Sequence, residues 1–330
     1  MAEPNPAHPF VVVHDEGPGL ERLVRPVVAI GNFDGVHRGH RTVIATAQER
    51  ARAAHRPTAV LTFEPHPRSF FQPDEPSFLL SSLAAKMRLL AATGLDGAVV
   101  LTFDAALASL SAEEFVERIL VERLAVSGAV IGFNFHFGKD RRGSPDFLVA
   151  QGAHRDFSVD VVPPYHLAGR RVSSGAVRDA LAEGRIDEAS ELLGYPWFVT
   201  GQVVHGDKRG RELGYPTANL RLDPDCGLKH GVYAVRVGVS GTRYDGVANF
   251  GRRPMFDTGA VLLEVFLFDF DGDLYGAALD VAFIAWIRPE LAFDSIEDLI
   301  RRMDDDTRQA RTALAREPDA FPPLGAPSTE

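Results

Sequence analysis

Two histidines, His37 and His40, stand three residues apart in GNFDGVHRGH (Gly31–His40), a stretch that also holds Phe33, Asp34 and the glycines Gly31, Gly35 and Gly39. A short apolar run, VVAI (Val27–Ile30), precedes it and a polar helical pattern follows. At such a joint a glycine lets the chain turn sharply and lets a ligand approach the main chain. The start of the helix offers unpaired N–H groups and a positive dipole end to an anion. Residues three apart on a helix face the same side, so both imidazoles can donate hydrogen bonds to phosphate oxygens. That constellation suits stabilisation of charge during attack on a nucleoside triphosphate. On the residues alone two other readings stay open: a metal pair with Asp34 as third ligand, and a purely structural role for both rings.

A second candidate lies far downstream. Glu264 sits in VLLEVFLFDF, a strand-like run whose alternate residues face opposite ways. Leu262, Glu264, Phe266 and Phe268 share one face, and Val261, Leu263, Val265 and Leu267 the other. A carboxylate on an apolar face needs a partner or a purpose; a structural ion pair and a general base both satisfy that. His66, in EPHP, reads either as a site residue or as the cap of a rigid turn. Neither GxxxxGKS/T nor GxGxxG occurs, so a nucleotide must be held by some device other than a Walker loop or a dinucleotide fingerprint.

These side chains need elements to position them. Short continuous apolar runs at 27–30, 59–63, 97–103, 129–133 and 158–162 suit strands covered on both faces. Helices are expected after His37, at 81–93 behind Ser81-Ser82, at 111–124 behind a Ser111/Glu114 capping box, and at 144–151 behind Ser144-Pro145. Strand–helix alternation implies a parallel sheet that binds ligands at the carboxyl ends of its strands. The His37 stretch is at the carboxyl end of the first. Near Glu191–Pro196 the pattern changes to strands at 198–205, 232–240, 243–249, 261–269 and 279–287, with Asp271-Gly272 as a hairpin turn signal. One closing helix is expected over 294–315, capped by Asp294 or Ser295. The pattern therefore gives an α/β parallel-sheet domain followed by a small all-β domain, barrel or sandwich, with a C-terminal helix. The boundaries fall at 1–24 for an N-terminal extension, 25–192 and 193–316 for the two domains, and 317–330 for a disordered tail.

A chain of 330 residues has room for two separate cores. The net charge of −10 argues against a general nucleic-acid binder. Local basic spots at Lys139–Arg142, Arg170-Arg171 and Lys208–Arg211 suit small polyanions such as nucleotides, or are solvated loops. No apolar run is long enough for a membrane span, and the first residues lack the pattern of a signal peptide. The single cysteine, Cys226, excludes an internal disulfide or a cysteine-built zinc site and fits a cytoplasmic location. Oligomeric state is not legible.

GNFDGVHRGH resembles the HxGH signature of nucleotidylyltransferases. In its longer form it resembles the N-terminal module of the prokaryotic bifunctional riboflavin kinase/FMN adenylyltransferase (FAD synthetase) family. Further blocks are similar to that family's, in the same order: TFEPHP (Thr62–Pro67), GFNFHFGKDRRG (Gly132–Gly143), VSSGAVR (Val172–Arg178) and GRELGYPTANL (Gly210–Leu220). GVYAV, GVANFGRRP, LLEVFLFDFDGDLYG and IRPELAF follow, so the resemblance covers roughly residues 25–315. It implies a nucleotidylyltransferase-like first domain that transfers AMP from ATP to FMN, and a barrel that phosphorylates riboflavin with ATP. It also implies Mg²⁺ with ATP, and FMN and FAD as substrate and product rather than prosthetic groups.

Residue by residue, the resemblance implies that His37 and His40 contact the triphosphate, with Gly31 and Phe33 in the loop beside them. Asn134 helps to hold ligand, and Ser173, Ser174 and Arg178 clamp phosphates. In the second module Gly206, Gly210 and Gly214 belong to a phosphate-covering flap, Thr217 and Asn219 hold Mg²⁺–ATP, Glu264 is the catalytic base and Arg288 stands on the flavin side. The chain departs from the family pattern at Gly175 and Met255, where threonine is usual, at Phe266 for histidine and at Lys229 for proline. Gly175 leaves open a flavokinase with a weakened adenylyltransferase half. A non-catalytic flavin-binding regulator is the other alternative.

Overall fold

The computed structural model of the chain describes residues 9–15, 17–74, 78–205, 215–252 and 261–327. Internal contacts divide it into two units, residues 1–77, 82–173 and 323–330 in the first, and 78–81 and 174–322 in the second.

The first unit is built on six strands: β1 (Val11–His14), β2 (Val27–Ile30), β3 (Thr58–Glu64), β4 (Gly97–Thr102), β5 (Gly128–Gly132) and β6 (Ser158–Val162). They form one parallel sheet in the order β1-β4-β3-β2-β5-β6. Between them run α1 (Arg38–Ala54), α2 (Pro67–Phe71), α3 (Leu83–Ala91), α4 (Ala105–Ser109), α5 (Ala112–Phe115, continuing as π-helical Val116–Arg123) and α6 (Pro145–His154). A two-stranded ribbon, β7 (His166–Leu167) and β8 (Arg170–Arg171), follows β6. The strands read as unbroken apolar runs because both faces are covered. Val28, Ile30, Leu61 and Leu101 pack under Phe115, Ile119 and Leu120 of α5 and Leu148 of α6. α1 covers the opposite face, with Val43, Ile44, Ala47 and Ala51 turned inward. Ser82, Ser111 and Ser144 cap their helices as expected, and Glu114 closes the capping box.

The extension expected over 1–24 is partly sheet. Val11–His14 pairs with β4 as a parallel edge strand, and Asp15 then accepts from Thr102 N at 2.9 Å and Thr102 Oγ1 at 2.6 Å. Four residues suffice because only Val11 and Val13 need be buried.

From β2 the chain winds outward through β3 and β4, then returns to lay β5 on the other side of β2. That reversal opens a crevice at the carboxyl ends of β2 and β5. The stretches 31–40 and 132–143 leave those two ends.

The second unit begins with α7 (Ser174–Ala182) and α8 (Ile186–Leu193). The barrel strands are β9 (Phe198–Val204), β10 (Ala218–Leu222), β11 (Gly231–Val239), β12 (Thr242–Arg252), β13 (Val261–Leu267) and β14 (Ala278–Arg288), followed by α9 (Ile296–Arg316). They close in the order β10-β13-β12-β11-β14-β9, every pairing antiparallel. Leu220, Val235, Phe250, Leu263, Val265 and Val281 are among the residues that fill the barrel. Trp197 stacks on Phe283 at 5.1 Å. Burial alternates along β13, so Leu262, Glu264 and Phe266 are only half-buried and stand on its outer face. Phe268, past the strand end, is buried instead. Ser295 is the cap of α9, accepting from Asp298 N at 3.1 Å.

Three sequence expectations change here. Asp271-Gly272 does not close a hairpin: β13 pairs with β10 and β12 while β14 pairs with β9 and β11, so a long connection joins them. The tight turn is Ser240-Gly241 between β11 and β12, with φ of 49° and 81°, the left-handed pair that a two-residue hairpin needs. α7 and α8, placed by sequence in the first domain, group with the barrel. Lys229 N donates to Leu181 O at 3.1 Å, and α8 lies against β14. The tail expected to be disordered makes defined contacts, because buried Arg236 donates to Glu317 O at 2.7 Å and Ala320 O at 3.0 Å, and Arg243 covers the Phe321 ring at 4.5 Å.

Candidate active sites

At the end of β2, Gly31 N donates to Leu61 O at 3.1 Å. The loop then coils through left-handed positions at Phe33 (φ 50°), Gly35 (76°) and Val36 (36°). Phe33 and Val36 hold this conformation because both are buried under the loop. His37 returns to extended backbone and becomes the N-cap of α1, its Nδ1 accepting from His40 N at 3.2 Å. The two rings stack with centroids 3.6 Å apart and planes 12° from parallel, and Phe33 lies 5.2 Å from His40. Gly39 leaves room beside the stack, since a Cβ there would stand 3.2 Å from His37 Cε1 and crowd the ring. Nδ1 of His40 is buried without a hydrogen-bond partner among the described residues. Burial, then His37, then Lys86 hold the His40 imidazole well below its usual pKa, so the ring is neutral at pH 7. A neutral donor at a helix start fits phosphate oxygens. Among the described residues no three His, Cys, Asp or Glu side chains are grouped to hold a metal.

Asn134 is exposed in the turn after β5, its carbonyl 3.0 Å from His136 Nδ1. His66 is a cap: its Nδ1 accepts from Arg68 N at 3.1 Å at the head of α2. Ser173 belongs to the first unit, whereas Ser174 and Arg178 stand on α7 in the second. There Arg178 Nε donates to Phe78 O at 2.5 Å. Gly175 is exposed in the first turn of α7 and is not among the left-handed glycines. Gly206, Gly210, Gly214 and Met255 lie outside the described residues.

In the barrel, register does the assembling. Glu264 on β13 stands opposite Asn219 of β10 on one side and Asn249 of β12 on the other. Beside them is a cavity of about 300 Å³, lined by Thr217, Asn249, Glu264, Arg288, Phe293 and Asp306 among others. Asn219 is buried; its Nδ2 reaches Thr217 O at 3.4 Å, while its Oδ1 has no partner among the described residues. Arg288 lines the cavity yet commits Nε and Nη2 to Asp306 of α9, at 2.8 and 2.6 Å, and Nη1 to Pro289 O at 2.9 Å. Phe266 meets the Tyr215 ring at 4.9 Å. Burial and the hydrogen bond from Tyr215 to Asp304 raise the phenol pKa to about 12. Lys229 lies over the Trp286 ring at 4.3 Å and donates to Glu183 O at 3.3 Å. Asn249 and Lys86 escaped sequence reasoning. Asn249 lies in the GVANFGRRP block, but its place beside Glu264 is set by strand register, which the sequence does not carry.

Residues 21–176 match the family model of FAD synthetase, and residues 193–314 that of riboflavin kinase. A bifunctional riboflavin kinase/FMN adenylyltransferase from Pseudomonas fluorescens is 44% identical over 290 residues, 88% of this chain and 93% of that protein. The chain belongs to the bifunctional riboflavin kinase/FMN adenylyltransferase family. Its relative of the same description from Escherichia coli K12 is 40% identical over 288 residues, 86% of this chain and 91% of that one. A crystal structure of a macrolide-efflux protein from Streptococcus pneumoniae is similar throughout, with a TM-score of 0.80, 32% identity, and coverage of 92% of this chain and 99% of the other. Among the described residues no helix is long and apolar enough to cross a membrane. The FAD synthetase match holds His37, His40 and Asn134; the riboflavin kinase match holds Thr217, Asn219, Asn249, Glu264 and Arg288.

Proposed function

We propose that this chain phosphorylates riboflavin to FMN in its barrel unit and adenylylates FMN to FAD in its parallel-sheet unit, using ATP for both. The observation that carries the reading is the stacked His37/His40 pair at the head of α1, beside a sheet crevice, in the same chain as Glu264 between two asparagines over a cavity.

In the kinase step Glu264 accepts the proton of the riboflavin 5′-hydroxyl, whose oxygen attacks the γ-phosphorus of ATP as ADP leaves. A sugar-like hydroxyl is a poor nucleophile at neutral pH, and a positioned carboxylate corrects that. Thr217 and Asn219 offer neutral oxygens, and Asn219 Oδ1, which has no partner among the described residues, suits a hard cation. Bound there, Mg²⁺ would neutralise charge on the ATP phosphates. Arg288 would hold the flavin side.

In adenylyl transfer a phosphate oxygen of FMN attacks the α-phosphorus of ATP and pyrophosphate leaves. The nucleophile is already anionic, so the work is positioning and charge stabilisation. His37 and His40 donate to the phosphates, and the α1 amino end adds its dipole. Gly31 and Phe33 shape the loop, Asn134 contacts ligand, and Ser173, Ser174 and Arg178 hold phosphate. ATP as common substrate and a single cysteine favour the cytoplasm.

Purified chain incubated with riboflavin, ATP and Mg²⁺, with products separated by chromatography, tests the reading. FAD is expected. FMN alone would leave a flavokinase with a weakened adenylyltransferase half, and no product would leave a flavin-binding regulator.

A further inference from the structure

Lys86 of α3 is buried, close to the His37 loop, and has no part in the chemistry above. Its Nζ donates to Asn32 O at 3.3 Å and, at 3.5 Å, to Thr62 Oγ1. Thr62 Oγ1 itself donates to Asn32 O at 3.2 Å. One carbonyl thus receives two donors, one from β3 and one from α3. Asn32 is the residue at which the chain leaves β2 for the loop that ends in His37. These acceptors are neutral, and a buried ammonium is expensive to keep. A methionine of similar length would fill the same space without that cost.

We propose that Lys86 is a positioning residue for adenylyl transfer: by fixing the Asn32 carbonyl against β3 and α3, it sets where the loop presents His37 and His40 to the nucleotide phosphates. The inference rests on the adenylyl-transfer reading given above. The ammonium acts on the same rings through its charge. It disfavours protonation of His40, after burial and His37, and so helps to keep that ring a neutral donor. Facing Lys86 in turn are the carboxylates of Glu64, at the end of β3, and Asp34, in the loop; they oppose the effect of burial on its ammonium.

Two variants of the full chain test this. Lys86→Gln keeps a donor for Asn32 and removes the charge; Lys86→Met removes both. FAD formation from FMN and ATP is measured beside FMN formation from riboflavin, which reports on the other unit in the same sample. The His40 ring is titrated by NMR, its signals assigned by their loss in His40→Ala. Lys86→Met should lower kcat of adenylyl transfer by about 10²-fold, the scale of a small misplacement of reacting groups. Lys86→Gln should retain more, the kinase should be unchanged in both, and the His40 midpoint should rise in both. Full adenylyl transfer with an unmoved His40 midpoint would remove Lys86 from the site. Equal losses in both variants, matched by unfolding and with His40 unmoved, would reduce it to a core residue. A wild-type chain that made no FAD from FMN would overturn the underlying reading instead.

Discussion

In the first unit the chemical groups leave the ends of strands; in the barrel they stand on strand faces. Phe33, His37 and His40 lie within one loop and one helical turn, and their geometry follows from left-handed residues, a cap and the space left by Gly39. Asn219 with Thr217 just before it, Asn249 and Glu264 come from three strands, β10, β12 and β13, and meet only because the barrel closes in one register. A slip of one residue in β13 would turn Glu264 into the barrel and Leu263 or Val265 out of it. The first kind of site is vulnerable to changes in a single turn, the second to anything that loosens the barrel wall.

Substitutions that strike one site and spare the other sharpen this contrast. Glu264→Gln keeps shape and hydrogen bonding but loses basicity, so riboflavin phosphorylation should fall by about 10²–10⁴. FAD synthesis from supplied FMN should stay near wild type. Assays of both half-reactions on one preparation decide it, and full kinase activity in a folded variant would exclude Glu264 as base. Asp306→Ala leaves Arg288 buried without its counter-charge, and should cost the second unit about 3–5 kcal/mol. Calorimetry should show that loss in one transition, with adenylyl transfer retained below it. His40→Ala removes one charge-stabilising donor, so FAD formation should drop by about 10²–10³ while FMN formation persists. Untouched FAD synthesis would break the assignment of the stacked pair. Asn219→Ala removes an oxygen rather than a base. The Mg²⁺ concentration for half-maximal kinase rate should rise by about 10-fold, and an unshifted Mg²⁺ curve would argue against Asn219 as a ligand.

The contrast also explains what was legible. VVAI and SVDVV are strands to the residue, and the capping motifs at Ser111, Ser144 and Ser295 stand where the local pattern put them, because caps and doubly covered strands are written in adjacent residues. β1 was missed because four residues at a sheet edge leave too short a run between proline and acidic neighbours. The Asp271-Gly272 turn misled because a turn signal says nothing about which strands the barrel pairs. His66 resolved to a cap, a role that its own neighbours Pro67 and Arg68 settle. Asn249 and Lys86 depend on register and on packing between distant elements, which no local pattern records.

The cap at the head of α1 has one more consequence. Because Nδ1 of His37 accepts the His40 N–H, the single proton of the neutral ring resides on Nε2. The ring therefore presents a donor on its outer edge while its inner edge closes the helix. One side chain thus serves the helix start and the phosphate contact together: replacing His37 by alanine would forfeit a cap of about 1 kcal/mol along with the donor.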